Sequence, residues 1–167
     1  HYAALSMDAV PILADLVGGV PVTIDTDMTA VDPRLIEGET VTLEGELALS
    51  YVRARQIVSD GTNQSRMARQ EQFLRAAWEA WMEKTASGDA VELGTDALVS
   101  LGERLRSDCT VQKLSRLLER AEQCELTVLP APAGEAKISE ENIAEFYVDD
   151  DALEQTVLEL FYREEIS

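Results

Sequence analysis

The sequence predicts an α/β protein, a three-layer α/β/α domain in which a central mixed sheet is flanked by helices. Three observations lead there. Stretches with apolar residues three and four apart alternate along the chain with shorter stretches of period two. The 167 residues, 46% of them hydrophobic, suffice for one sizeable core and suggest a single domain over residues 1–167. No repeat or low-complexity segment interrupts the pattern.

Taken in order, SMDAVPILADLVGG places Met7, Val10, Leu13, Ala14 and Val17 on one helical face, and Gly18-Gly19 stops the helix. Ser6 or Asp8 is the N-cap, and Pro11 favours Asp8 because proline is tolerated only in a first turn. VPVTID alternates as a strand with Val20, Val22 and Ile24 on one side. Asp25 to Gly45, punctuated by Pro33 and Gly38, reads as a loop or short strands, and GELALSY as a short helix. A long helix is expected from about Ser65 to Lys84, its apolar stripe formed by Met67, Leu74, Trp78 and Trp81.

Two further amphipathic helices are expected over 90–106 and 110–123, the second using Val111, Leu114, Leu118 and Ala121. ELTVLPAPAG reads as a strand ending in a proline turn and NIAEFYV as another. Asp149 to Asp151 suit the positive end of a last helix with Leu153, Val157, Leu160 and Phe161 inward. Cys109 and Cys124 bracket the 110–123 helix, and fifteen residues at about 1.5 Å rise would hold them roughly 22 Å apart. A disulfide requires Cα atoms within about 7 Å, so the two are not expected to be joined.

Charge is distributed unevenly. The chain carries −18, yet residues 53–75 hold five arginines against Asp60 and Glu71 and so carry +3. Residues 1–52 hold one base against nine acids, and residues 76–167 eight against twenty-one. Guanidinium forks fit phosphate or carboxylate oxygens, so arginines gathered in an acidic chain point to an anion site, a phosphate first of all. The alternative is a set of solvated helix arginines paired with nearby acids. The acidity elsewhere repels a nucleic-acid backbone and argues against DNA as ligand.

Spacing within the window sets geometric conditions. Arg53 and Arg55 point the same way only in extended backbone and diverge by about 200° in a helix, so the preceding helix should end near Tyr51. Arg66 and Arg69, three apart on the long helix, share a face with Gln70 beside them. Asp25, Asp27 and Asp32 suggest calcium but lack glycine-centred loop spacing, which favours a solvated acidic loop. His1 is a lone terminal residue.

GELALSYVRAR followed by DGTNQSRMARQ resembles the hallmark of the LytR-CpsA-Psr family: leucine, x, glycine, then AL, x, Y, x, R, x, R, then an acid and R, x, x, R, Q. HYAALSMDAVPILADLVGGVPVTI, SDCTVQKLSRLL and FYVDDDALEQTVLELF resemble other parts of the same domain. The resemblance implies an extracytoplasmic, membrane-anchored phosphotransferase of Gram-positive-type bacteria. Such enzymes move a glycopolymer, a teichoic acid or capsule precursor, from an undecaprenyl-pyrophosphate carrier onto peptidoglycan, with magnesium on the pyrophosphate.

By that resemblance Arg53 and Arg55 contact the pyrophosphate and act in catalysis, Arg66 and Arg69 form the later phosphate-binding pair, and Gln70 is the polar residue beside the headgroup. Trp78, Trp81 and Met67 either line a prenyl-chain channel or belong to the core. The acid expected three residues before Arg66 is Asn63, leaving Asp60 as the nearest carboxylate. The metal-binding aspartates, another arginine and the membrane anchor are expected upstream of the position equivalent to His1. A noncatalytic module that holds polyprenyl phosphate or a wall polymer is the alternative, and Asn63 lends it weight. A transcription regulator, the role older descriptions gave the family, does not suit the charge.

Overall fold

The computed structural model describes residues 2–54, 63–86, 90–121, 127, 132–139 and 144–162, without the side chains of residues 63, 64, 90, 111, 115, 118, 119, 121, 136 and 144. The chain divides into two compact units, 1–126 and 127–167.

The α/β class holds in the first unit. Strand β1 (Ala3–Leu5) precedes a 3-10 turn (Met7–Ala9) and helix α1 (Val10–Val17). Then come β2 (Val20–Thr23), β3 (Thr40–Leu43), α2 (Gly45–Arg53), α3 (Asn63–Thr85), α4 (Ala90–Leu101), a second 3-10 turn (Gly102–Arg104), β4 (Leu105–Ser107) and α5 (Val111–Ala121). The described strands pair two by two and antiparallel. β1 lies on β4 with Ala3 opposite Ser107, and β2 on β3 with Val20 opposite Leu43.

Alternation in β2 works as expected, because Val20, Val22 and Ile24 are all buried on one face. The loop after β2 closes on itself through Ile24 N–H to Glu39 O and Met28 N–H to Leu35 O, which carries Met28 and Leu35 into the core. Around them pack Leu43, Leu47, Ala48, Leu49, Tyr51, Val52 and Phe73. Each large aliphatic side chain so buried stabilises the unit by about 1.5–3 kcal/mol.

Several expectations shift. Met7 is exposed because it lies in the 3-10 turn, where the 100° periodicity fails, and neither Ser6 nor Asp8 caps α1 with its side chain. Pro11 does sit in the first turn of α1. The helix expected to run to Arg106 ends at Leu101, since Gly102 at φ 46° turns the chain out of it and into β4.

On α3 the expected stripe divides. Trp81 is 7% exposed, but Met67 is 43% and Leu74 53% exposed, and Trp78 is half-buried. The buried positions are Arg69, Phe73, Trp81 and Thr85, with Ala76 and Ala77 against the core. Steps of four residues drift about 40° each on an α-helix. The buried stripe therefore winds as α3 passes its neighbours. Arg69 meets α2, Gln72 meets β2 through Thr23 O at 2.8 Å, and Lys84 donates to Leu16 O at the end of α1.

In α5 the helix runs over 111–121, and of its four expected apolar residues only Leu114 has a described side chain, half-buried. Cys109 is a free thiol, and Cys124 lies outside the described residues.

The second unit holds a hairpin, β5 (Gly134–Ile138) on β6 (Ala144–Val148), and helix α6 (Asp150–Phe161). The strand expected over ELTVLPAPAG falls mostly outside the described residues, and β5 begins at its last residue. Asp149 caps α6, its Oδ1 accepting from Ala152 N–H at 3.0 Å. Leu153, Val157, Leu160 and Phe161 are exposed, Phe161 by 75%, instead of turning inward.

Candidate functional site

Helix α2 is held at both ends. Gly45 N–H, at its first turn, donates to Asp15 Oδ1 of α1 at 2.7 Å, so a carboxylate sits at the positive end of the helix dipole. Gly18 and Gly19, at φ 87° and 96°, take the chain from α1 into β2 with N–H bonds back to Asp15 O and Ala14 O. A Cβ on Gly19 would lie 2.3 Å from Thr42 Cγ2, so the Thr42 side chain on β3 would have to move to admit one.

The other end of α2 carries the arginine motif. An α-helix leaves its last carbonyls without intrahelical partners. Ala54 N–H takes Ser50 O at 3.1 Å. One turn of α3 supplies the others: Arg69 Nε donates to Tyr51 O at 3.3 Å, Gln70 Nε2 to Val52 O at 3.3 Å, and an Arg69 Nη to Ala54 O. Arg69 is buried, and its cation lies at the negative end of the helix. Tyr51, 1% exposed, donates its hydroxyl to Gln72 Oε1, and Gln72 passes the link on to Thr23 O of β2. Burial, and then the nearby Asp25 carboxylate, push the Tyr51 hydroxyl up to about 12, with Arg69 opposing.

A cavity of about 180 Å³ opens beside this clamp. Asp25, Tyr51, Ser65, Ala68 and Arg69 are among its walls. Arginine has five N–H donors in a fixed fork, so a guanidinium on backbone carbonyls keeps donors for a second partner.

The five arginines of the window thus take different places. Arg75 pairs with Glu71 on the surface of α3 at 2.8 Å, an i,i+4 ion pair. Arg69 and Gln70 meet α2. Arg66, one turn earlier on α3, is half-buried. Arg53 is the last helical residue of α2, exposed and without an ion pair to any described residue. Ala54 at φ −52°, ψ 131° is extended, so the helix ends at Arg53, two residues later than expected. Arg55 and Asp60 lie outside the described residues, as does the side chain of Asn63.

Sequence reasoning missed Tyr51, Gln72 and Asp25 as members of this cluster. Tyr51 lies inside the quoted motif, but no local pattern shows that its hydroxyl turns inward to α3. In the acidic loop, Asp27 accepts from Thr29 N–H at 3.0 Å, and Asp32 accepts from Arg34 backbone and side chain. These side-chain bonds, then the backbone bond, hold the half-buried Asp32 carboxyl down at about 2. Among the described residues no group of three or more His, Cys, Asp or Glu side chains could hold a metal ion, and no helix is long and apolar enough to cross a membrane.

The fold recurs in solved structures. The Lin1025 protein from Listeria innocua is 24% identical, with a TM-score of 0.65 over 93% of this chain and 65% of that one. TagV of B. subtilis is 20% identical, with a TM-score of 0.66 over 95% and 62%. TagT bound to LI-WTA is 19% identical, with a TM-score of 0.65 over 94% and 57%. The chain thus spans under two thirds of these neighbours' lengths. No curated protein sequence matches it. The family model that matches covers residues 1–161, the clamp, the arginine motif and the second unit alike: the chain belongs to the LytR_cpsA_psr family.

Proposed function

We propose that this chain is the later part of a single LytR-CpsA-Psr domain, in an extracytoplasmic, membrane-anchored phosphotransferase. The enzyme moves a glycopolymer from an undecaprenyl-pyrophosphate carrier onto peptidoglycan. The observation that carries this reading is the clamp. Arg69 and Gln70 fix the C-terminal end of α2, and the R-x-R pair of Arg53 and Arg55 begins on its last helical residue.

In the reaction, an acceptor hydroxyl oxygen attacks the sugar-linked phosphorus. The bond from that phosphorus to the bridging oxygen breaks, polyprenyl phosphate leaves with the electron pair, and the hydroxyl proton passes to solvent. Negative charge grows on the leaving phosphate, and guanidinium groups already fixed nearby stabilise it without reorganising. Arg53 and Arg55 take that role, and Arg66 holds the second phosphate. Arg69 and Gln70 keep their phosphate-binding assignment, from the turn of α3 that meets the end of α2. The exposed Met67 and Leu74, with half-buried Trp78, offer the prenyl chain an apolar strip beside these groups.

Magnesium commonly uses one or two carboxylates together with substrate phosphates. Asp25 is the one carboxylate among the described walls of the cavity, and would supply one such ligand beside the substrate phosphates.

The test is transfer by the full-length protein carrying Arg53→Ala or Arg55→Ala. Loss of transfer by about a hundredfold or more, with unchanged far-UV circular dichroism, is expected for removal of a preorganised charge partner. Wild-type transfer in both variants refutes the reading. A noncatalytic polymer-holding module, which Asn63 favours, predicts instead that the unaltered full-length protein binds lipid-linked polymer but transfers none with magnesium supplied.

A further inference from the structure

A second inversion of charge lies in the first unit, away from the arginine motif in sequence. Residues 104–120 hold Arg104, Arg106, Lys113, Arg116 and Arg120 against Asp108 and Glu119, a sum of 5 − 2 = +3 in a chain of −18. Asp108 is already engaged, accepting from Tyr2 N–H at 2.9 Å. On α5, Lys113, Arg116 and Arg120 stand three and four residues apart, which places them within about 60° of one another around the helix. Leu114, on the opposite side, is half-buried, and α5 packs on α4. The three bases, with Leu117, line a cavity of about 510 Å³.

We infer that this face of α5 is a docking surface for a phosphodiester-linked polyanion, one strand of which lies along the helix. Lys113 and Arg120 are about 10 Å apart along the axis, at 1.5 Å per residue, so the face meets several phosphates of an extended strand at once. The rest of the molecule decides between a strand and a flat anionic bilayer. Charges interact over a Debye length of about 8 Å at physiological salt. The chain as a whole carries −18, so a planar bilayer, which faces a broad area of the molecule, meets repulsion that the patch alone does not offset. A single flexible strand reaches the patch alone, and the hollow accommodates a strand better than a plane. Only the identity of the polymer rests on the proposed function; the surface itself does not.

The experiment compares the wild-type chain with the triple variant Lys113→Gln, Arg116→Gln, Arg120→Gln, glutamine being a good helix former. Soluble polyglycerol phosphate is the probe. Dextran serves as the uncharged control, and vesicles of equal parts phosphatidylcholine and phosphatidylglycerol as the membrane control. Binding should weaken by about tenfold or more in the triple variant, and the slope of log affinity against log salt should fall by about 2, at roughly 0.7 per single-strand contact removed. Arg34→Gln, which removes an exposed cation outside both sites, should bind the probe as wild type does, and polymer transfer by Arg53→Ala is read in its own assay, so the two readings fail separately. The inference is overturned by equal probe binding in wild type and triple variant, by no binding in either, or by a loss confined to the vesicles.

Discussion

Replacing Arg69 separates its two roles, clamp and ligand. Its guanidinium donates to Tyr51 O at 3.3 Å and to Ala54 O, and the side chain is buried. A hydrogen bond from a charged donor contributes about 1.5–3 kcal/mol. The Tyr51 bond is long and belongs at the lower end, so the pair stabilises the α2–α3 junction by about 3–4 kcal/mol. Arg69→Ala forfeits that sum and leaves two carbonyls at a helix end without donors. Arg69→Lys keeps the charge but has a single nitrogen to satisfy two carbonyls, so about half the loss is expected. With a urea dependence of about 2 kcal/mol per molar, the alanine variant should unfold at a midpoint lower by about 1.5–2 M and the lysine variant by about 1 M. The assay is equilibrium urea unfolding followed by circular dichroism and tryptophan fluorescence. A midpoint within about 0.3 M of wild type for Arg69→Ala would refute the clamp and leave Arg69 as a ligand alone.

Two other perturbations check the frame around the site. Gly19→Ala drives a methyl to within 2.3 Å of Thr42 at a φ of 96°, whereas Gly18→Ala meets nothing within 4 Å at a φ of 87°. Thermal unfolding should show a loss of about 1 kcal/mol for Gly18→Ala, from backbone conformation alone, and about 3 kcal/mol for Gly19→Ala, where a clash adds to it. Equal losses would mean that β3 yields easily. Titration is the second check. An acid whose folded pKa is raised contributes stability that is complete below its unfolded pKa, near 10, and is lost as pH rises through the folded value, here about 12. Tyrosinate absorbance against pH should therefore show a late step near 12 that Tyr51→Phe removes; a profile unchanged by that substitution contradicts the buried Tyr51–Gln72 link.

What the sequence disclosed follows from which signals are local. β2 was legible because one face of it is buried and a period of two records that directly. The stripe of α3 was misread because its buried positions wind around the helix and include Arg69 and Thr85, polar residues that a hydrophobic pattern cannot count. Met28 and Leu35 enter the core from a loop with no period at all. β1 and β4 have three residues each and β1 is exposed throughout, so neither leaves an alternation to detect. At the site, the charge inversion marked the stretch that holds Arg69 and Gln70, though its arginines take different places, and the i,i+4 spacing of Glu71 and Arg75 is that of an ion pair. That Arg69 turns back onto α2 depends on how the two helices pack, which spacing within α3 does not encode.

The clamp also bears on how an anion can sit here at all. A helix C-terminus carries a partial charge of about −0.5 from its open carbonyls, and one placed beside a pyrophosphate would repel it. At α2 the carbonyls of Tyr51, Val52 and Ala54 are covered by donors from Arg69 and Gln70. Asp25 remains close enough to raise Tyr51, so the cation of Arg69 is balanced in part by a carboxylate at the same cavity. The positive potential available to a ligand must then come mainly from arginines whose charge is not spent on the protein. Of the described ones in the window, Arg75 is neutralised by Glu71 and Arg69 by the helix end. Arg53 sits on the exposed last turn of α2, where its charge reaches solvent undiminished by any described carboxylate partner. On this electrostatic argument Arg53→Ala should cost anion affinity with almost no change in stability, and Arg69→Ala should cost both, so that the two variants differ in kind as well as in degree.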